Sequence, residues 1–420
     1  MNLTSPSASS LRRYGPAAIL LAVVVLLPFA RSAEAAIDIG AIAGIVLAWR
    51  QRGALAANAG VRLAAMLFLC YWLPALISAP DSVAPGRSWM SVATFLRFLP
   101  FAWFVVLALP ATIPWPRFVG TVGLVVALWT LDAWIQALTG HGLAGVPEKE
   151  RLSGIFGAGN LKFGPALAVL SPFALAAARA RFGLRGLVAA FVLLLVPVLL
   201  AGSRAAWIMY ALVVAVFLWR EAGSFLRFVT WSAAGLALVA LVGFVALRGS
   251  AAFDARVERT LGVLNGTEQA VDEAAAGRLQ IWGTSLRMIA AHPINGVGVR
   301  AFRVAYPDYA QRGDKFLAEG CDGGACHAHN LVLEVLSETG TIGLALWIAG
   351  VIFALRAWRR ADAAARSRAF VPGLALAVMV FPINGYFAFY SADWGLFFWW
   401  LLALYCAALT SKNWDAKLSD

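Results

Sequence analysis

Charge is scarce in this sequence. Only 13% of its 420 residues are Asp, Glu, Lys or Arg, while 61% are hydrophobic and the mean hydropathy is +0.77. Soluble domains carry roughly 25% charged residues, so a water-facing surface cannot be assembled here and lipid must cover most of the chain. The net charge of +12 does not point to nucleic acid, because the basic residues sit in short clusters between apolar runs instead of on one domain. Cysteine is also sparse. Cys70 and Cys406 fall inside apolar runs and read as core residues. There is no internal repeat and no low-complexity segment beyond ordinary alanine richness.

What the sequence does have is apolar runs of membrane-crossing length, about 17 to 25 residues each. They lie near 16–30, 35–49, 61–79, 89–109, 118–138, 160–178, 184–200, 204–219, 226–247, 340–357, 369–388 and 393–410. Open sheet edges cannot be satisfied in lipid. The expectation is therefore an all-α polytopic integral membrane protein of about twelve spans, with a helical domain outside the membrane. Its organisation would be 1–247 (nine spans), 248–339 (outer loop domain) and 340–420 (three spans). With the N-terminus in the cytoplasm, eighteen basic residues fall in inner loops and termini and six in short outer loops. Basic residues favour the inside, so both termini are placed inside and the long loop outside. A competing reading of the N-terminus is a cleavable signal peptide: Arg12 and Arg13, an apolar stretch, then Ala33-Glu34-Ala35.

The long loop reads as folded. Residues 251–263 and 276–291 have helical periodicity, Asn265-Gly266 marks a turn, His292-Pro293 ends the second helix, and Gly296-Val297-Gly298 marks a tight bend. Charged groups at membrane depth or at its edge are costly and therefore functional candidates. Arg87, Lys162, Arg204 and Arg278 lie at the outer edge, with Arg97 deeper. Arginine suits diphosphate because its planar fork makes parallel charged hydrogen bonds. The bland alternative for each is an ion pair or snorkelling to headgroups.

Two of the four histidines lie in His327-Ala328-His329-Asn330, and a neutral imidazole is well matched to taking a proton near pH 7. In the following helix, Glu334 is expected to organise local backbone and Asn330 rather than touch His329. Cys321 and Cys326 admit three readings: a disulfide in an oxidising compartment, a zinc site with His327 and His329, or free thiols.

Several segments together resemble the O-antigen ligase and polymerase superfamily. They are Gly277-Arg278 through Trp282, Ala291-His292-Pro293 through Gly298, the His329-Asn330 stretch through Glu334, and Glu338 through Gly343. Gly202-Ser203-Arg204 through Trp207 resembles that family's Ser-Arg step. Phe156 through Asn160 resembles its Asn-containing loop. The likeness covers roughly 150–345, and the single large outer loop resembles the ligase layout.

The resemblance implies a GT-C-like glycosyltransferase of the bacterial inner membrane, working at the periplasmic face. Its donor would be a glycan on undecaprenyl pyrophosphate and its acceptor a hydroxyl of lipid A–core, with no cofactor, metal or nucleic acid. It implies His329 as general base and Arg204 and Arg278 as pyrophosphate ligands. Arg87, Lys162, Asn160 and His327 are assigned to substrate binding. Rival readings are an O-antigen polymerase, a protein O-oligosaccharyltransferase, a lipid-linked glycan binding protein and a secondary transporter. The transporter reading draws on Pro382-Ile383-Asn384-Gly385 as a helix break, but no corresponding break appears in the other half.

Overall fold

The computed structural model describes residues 8–29, 31–146, 151–158, 160–249, 258, 278–319, 325–382, 384–411 and 414. Among them there is no strand, only an isolated bridge between Gly142 and Gly145. The principal helices are α1 (Ala8–Leu26), α2 (Ser32–Arg50), α3 (Ala59–Ser78), α4 (Pro85–Phe95), α5 (Phe98–Ala108), α6 (Trp115–Thr139), α7 (Phe163–Leu200), α8 (Arg204–Ala222), α9 (Phe225–Gly249), α10 (Arg278–Ala291), α11 (Phe302–Tyr309), α12 (Leu331–Arg360), α13 (Ala363–Met379) and α14 (Ala392–Thr410). Nine helices among the described residues are long and apolar enough to cross a membrane. Two of the twelve predicted runs, 160–178 and 184–200, fall on the single element α7, and the run at 369–388 falls on the 17-residue α13. Gly183 (φ 66°) divides the 38-residue α7 where the sequence predicts two spans. α1 contributes a shorter apolar stretch, Tyr14–Leu26. The predicted loop helix at 251–263 and the Asn265-Gly266 turn lie outside the described residues.

The chain divides into two compact units. The first comprises Met1–Phe118, Arg278–Gly373 and Val380–Asp420; the second comprises Val119–Gly277 and Leu374–Met379. In the first unit, α2 and α5 approach closely because a Cβ at Gly44 would collide with the Pro100 carbonyl, and one at Gly40 would lie 2.7 Å from the Phe101 ring. Small residues at such crossings let backbones meet where no hydrophobic drive exists between helices in lipid. Across that seam Arg97 reaches Glu34 (3.2 Å) and Asp38 (3.1 Å). The Ala33-Glu34-Ala35 stretch is thus the first turn of α2, and its carboxylate holds Arg97. α1 is packed inward, with Leu20 and Val23 fully buried and the Leu20 carbonyl accepting from Trp400 Nε1 at 3.0 Å.

α12 starts nine residues before the predicted span and breaks at Gly340 (φ 65°). The break frees N–H groups that lipid could not satisfy. Thr341 and Ile342 instead donate to the Pro293 and Ile294 carbonyls at 2.8 and 3.2 Å. Irregular backbone at this depth is tolerated because protein buries it. Gly340 packs against the Ile294 carbonyl so closely that no side chain fits.

In the second unit, α8 is capped by Ser203, whose Oγ accepts from Ala206 N at 3.4 Å. The preceding turn is tied down by Trp207 Nε1, which donates to the Val198 and Leu199 carbonyls, each at 3.1 Å. The 142–154 loop hangs on two buried polar side chains of α6. Asp132 accepts from Leu143 N (2.7 Å), and Gln136 accepts from Ser153 N (3.0 Å) and Gly154 N (2.9 Å).

Candidate active site

The site residues of the first unit are assembled by three backbone irregularities. The first is the entry to α12. Asn330 caps that helix, its Oδ1 accepting from Leu333 N at 3.1 Å. The preceding residue, His329, adopts φ 49°, a left-handed conformation uncommon for a side-chain-bearing residue and worth a functional explanation. His329 N donates to His327 Nδ1 at 3.2 Å, and the two imidazoles lie with centroids 3.9 Å apart.

The second is the 380–391 segment, which the sequence assigns to a continuous span over 369–388. α13 instead ends at Met379. Pro382 cannot donate to a helix ladder, and Asn384 forms its own turn by accepting from Tyr386 N at 3.1 Å. The resulting loop delivers the Gly385 carbonyl to His329 Nδ1 at 2.9 Å. A carbonyl only accepts, so Nδ1 carries the proton and neutral His329 has its lone pair on Nε2. A Cβ at Gly385 would lie 2.5 Å from both Arg278 Nη1 and the His329 carbonyl oxygen. Only glycine lets the imidazole and this guanidinium close on the same point. The loop rests on a buried aromatic floor. Tyr71 packs on Phe95, Phe389, Tyr390 and Trp399, and Tyr390 Oη meets Thr339 Oγ1 at 3.2 Å.

The third is the Gly296–Arg300 bend. Gly296 (φ 69°) and Gly298 (φ 108°) turn the chain as the sequence predicts. The segment is laced to α12 by Val297 N to the Ser337 carbonyl (2.8 Å) and Gly298 N to the Glu338 carbonyl (3.1 Å). It is laced to the α3–α4 corner by Val299 N to Ser78 Oγ (3.1 Å) and Ser88 Oγ to the Val299 carbonyl (2.7 Å). Arg300 follows at φ 61°, its N–H donating to Glu338 Oε2 at 2.7 Å.

This brings Arg300 and Arg303 into the electrostatic surroundings of His327, and Arg87 into those of Arg303. Part of His327 reaches solvent, but it is packed deeply enough that burial pushes its pKa well below the usual histidine value, helped by His329, Arg300, Arg303 and Arg278. Arg303 is likewise shifted down, by burial first and then by Arg300 and Arg87. Glu334 is fully buried, and both its carboxylate oxygens lack a formed hydrogen bond among the described residues. It faces the backbone of Phe389 and Tyr390 rather than the Asn330 side chain anticipated from helical spacing.

Of the residues singled out from sequence, the first unit therefore brings together His327, His329 and Arg278, with Arg87 near Arg303. The second unit holds the rest. Asn160 Oδ1 accepts from Lys162 N at 3.1 Å, making a tight local turn at the start of α7. Gly164, one turn into α7, packs on Ala201 and Ser203, beside Arg204 at the start of α8. Cys326 is disulfide-bonded, and Cys321 lies outside the described residues. Among the described residues no group of three or more His, Cys, Asp or Glu is placed to hold a metal ion. Two apolar grooves of the second unit, one between α6 and α7 and one among α7, α8 and α9, are lined by none of the predicted site residues. Sequence reasoning missed Arg300, Arg303 and Gly385. The signal for the arginines was their place directly after a Gly-Val-Gly bend; for Gly385 it was a helix break credited to the transporter alternative.

Long apolar helices, one of them broken at the buried Gly340, and a cluster of histidines and arginines define an all-α polytopic membrane protein. Within it, residues 189–348 are similar to the family model described as O-antigen ligase. The matched stretch runs from within α7 into α12 and includes Arg204, Arg278, Arg300, Arg303, His327 and His329. No curated protein matches the chain.

Proposed function

We propose that this protein is an O-antigen ligase of the bacterial inner membrane. It transfers a glycan from undecaprenyl pyrophosphate to a hydroxyl of lipid A–core at the periplasmic face. The observation that carries the reading is the orientation of His329: its Nδ1 meets the Gly385 carbonyl at 2.9 Å, which makes Nε2 the basic nitrogen, and the Arg278 guanidinium packs against the same Gly385. In the proposed step the acceptor hydroxyl oxygen attacks the anomeric carbon as its proton passes to His329 Nε2. The bond from that carbon to the pyrophosphate oxygen breaks, with inversion. The departing charge is taken up by Arg278, and the likeness of the Ser203-Arg204 step assigns Arg204 to the same donor. Pyrophosphate is already an activated leaving group. Positioning and fixed cations supply the catalysis without metal or nucleotide. The outward placement of the site follows from the basic-residue bias of the loops.

The test is glycan transfer by purified protein given polyprenyl-pyrophosphate glycan and core lipid, with chelator and without nucleotide. His329→Ala should lower the rate by about 10²–10⁴-fold, the usual contribution of a general base, and His327→Ala by much less. The reverse order would move the base to His327, and full turnover in His329→Ala would end the proposal. In cells, deletion should leave lipid-linked glycan unattached to core. Core bearing a single repeat unit would mean a polymerase instead.

A further inference from the structure

Three further arginines have no part in the step above: Arg300 and Arg303 act on His327, Arg87 acts on Arg303, and their placement is built in rather than incidental. Gly298 sits on Ser82 so tightly that a side chain there would collide with it. Ser82 Oγ meets Ser88 Oγ at 2.7 Å, and Ser88 in turn holds the Val299 carbonyl. Arg87 immediately precedes Ser88 and Arg300 immediately follows Val299, so one hydrogen bond sets both arginine backbones. Arg300 is further held in a left-handed conformation by Glu338, at a cost of roughly 1–2 kcal/mol for a residue with a side chain. Arg303 lies three residues on, half-buried at the start of α11.

Among the described residues no carboxylate forms an ion pair with Arg87, Arg300 or Arg303. The acid nearest to hand, Glu338, commits an oxygen to the Arg300 backbone. Like charges gathered in partly desolvated surroundings repel, and an arriving anion relieves that repulsion. Burial first, and then the charges of Arg300 and Arg87, push the Arg303 pKa down, against a smaller opposing pull from Glu338 and Glu334.

We infer that Arg87, Arg300 and Arg303 form a second anion subsite, which takes a phosphate or carboxylate carried by the acceptor oligosaccharide. The inference rests on the transfer reading above, which places the donor pyrophosphate on Arg278. Arg87 is exposed to water, which fits an anion borne on a hydrophilic sugar rather than one anchored to a lipid tail. Holding that anion orients the acceptor so that its hydroxyl meets His329.

The experiment uses full-length protein in nanodiscs, saturating donor, and three acceptors: native core lipid, the same lipid after phosphatase treatment, and the same lipid after carboxyl reduction. In Arg300→Gln/Arg303→Gln the KM for native acceptor should rise tenfold or more, as expected for lost charged hydrogen bonds of about 1.5–3 kcal/mol. The donor KM should stay within about twofold. One of the stripped acceptors should raise the wild-type KM by a similar factor and erase the difference between wild type and variant; which one does so identifies the anion. Arg303→Lys should recover part of the loss. If the double variant does not fold, exposed Arg87→Gln read in the same assay should raise the acceptor KM alone. The inference is overturned if the variants raise the donor KM instead, if stripping the acceptor leaves the wild-type KM unchanged, or if the variants match wild type on native acceptor. Wild type that transfers glycan to none of the acceptors would instead bring down the transfer reading itself.

Discussion

Arg97 and Arg303 belong to the same compact unit and both are partly withdrawn from water, yet they live in opposite surroundings. Arg97 spans the α2–α5 seam and is answered by two carboxylates, Glu34 at 3.2 Å and Asp38 at 3.1 Å. Arg303 stands near Arg300 and Arg87 and forms no ion pair among the described residues, with Glu338 and Glu334 acting on it only at longer range. In an apolar protein an internal charge must be balanced by something. Where the chain supplies the balance, the arginine is structural. Where it does not, a ligand is expected to. This distinction sorts the cations more sharply than their position in the sequence does.

Substitutions should separate the two classes. Arg97→Ala strands Glu34 and Asp38 in the seam. Breaking such a pair costs about 3–5 kcal/mol, although residual solvent access brings the expected loss to the lower end. A thermal melt should show the drop, while glycan transfer per folded molecule stays near wild type; an activity loss without a stability loss would erase the contrast. Gly385→Ala should do the opposite. Its Cβ forces apart Arg278 and the His329 carbonyl, and a displacement of about 1 Å at a reacting centre costs on the order of 10²-fold in rate. The melt should move far less than the turnover. Restoration of rate by nothing but the original glycine would sharpen the assignment.

The smallest effect concerns pH. His327 has a pKa well below the ordinary histidine value in the folded protein, and its Nδ1 must stay unprotonated to accept from His329 N. The unfolded chain therefore binds the proton more readily, and stability rises with pH. As pH falls from 7.5 to 5.5, through the unfolded value of about 6.5, His327 alone should remove up to about 1.4 kcal/mol. Melts of wild type and His327→Gln across that window check it. A wild-type curve no steeper than that of the variant would contradict the burial argument.

Much of this was readable in advance. The apolar runs announced the helices, the His292-Pro293 stop appears as the end of α10 at Ala291, and the Gly-Val-Gly bend lies where its glycines put it. His329 and Arg278 stood out because an imidazole and a guanidinium are conspicuous beside apolar helices. Arg300 and Arg303 did not, because a loop arginine looks like any solvated cation until its lack of acidic partners is seen. Gly385 was obscured for a related reason: a glycine in an apolar run signals a break but not what the break makes room for.

Composition and periodicity, acting through the cost of exposing backbone and charge to lipid, already determined that this chain would be a helical membrane protein. They placed a boundary near Gly183 and a break near Gly385, but they could not determine that α12 would begin at Leu331 and break at Gly340. Tertiary structure decided that, because a broken helix survives only where another segment supplies the missing hydrogen bonds, and such partners are distant in sequence. The same packing chose the proton position on His329, since that proton goes to whichever carbonyl the fold brings within reach.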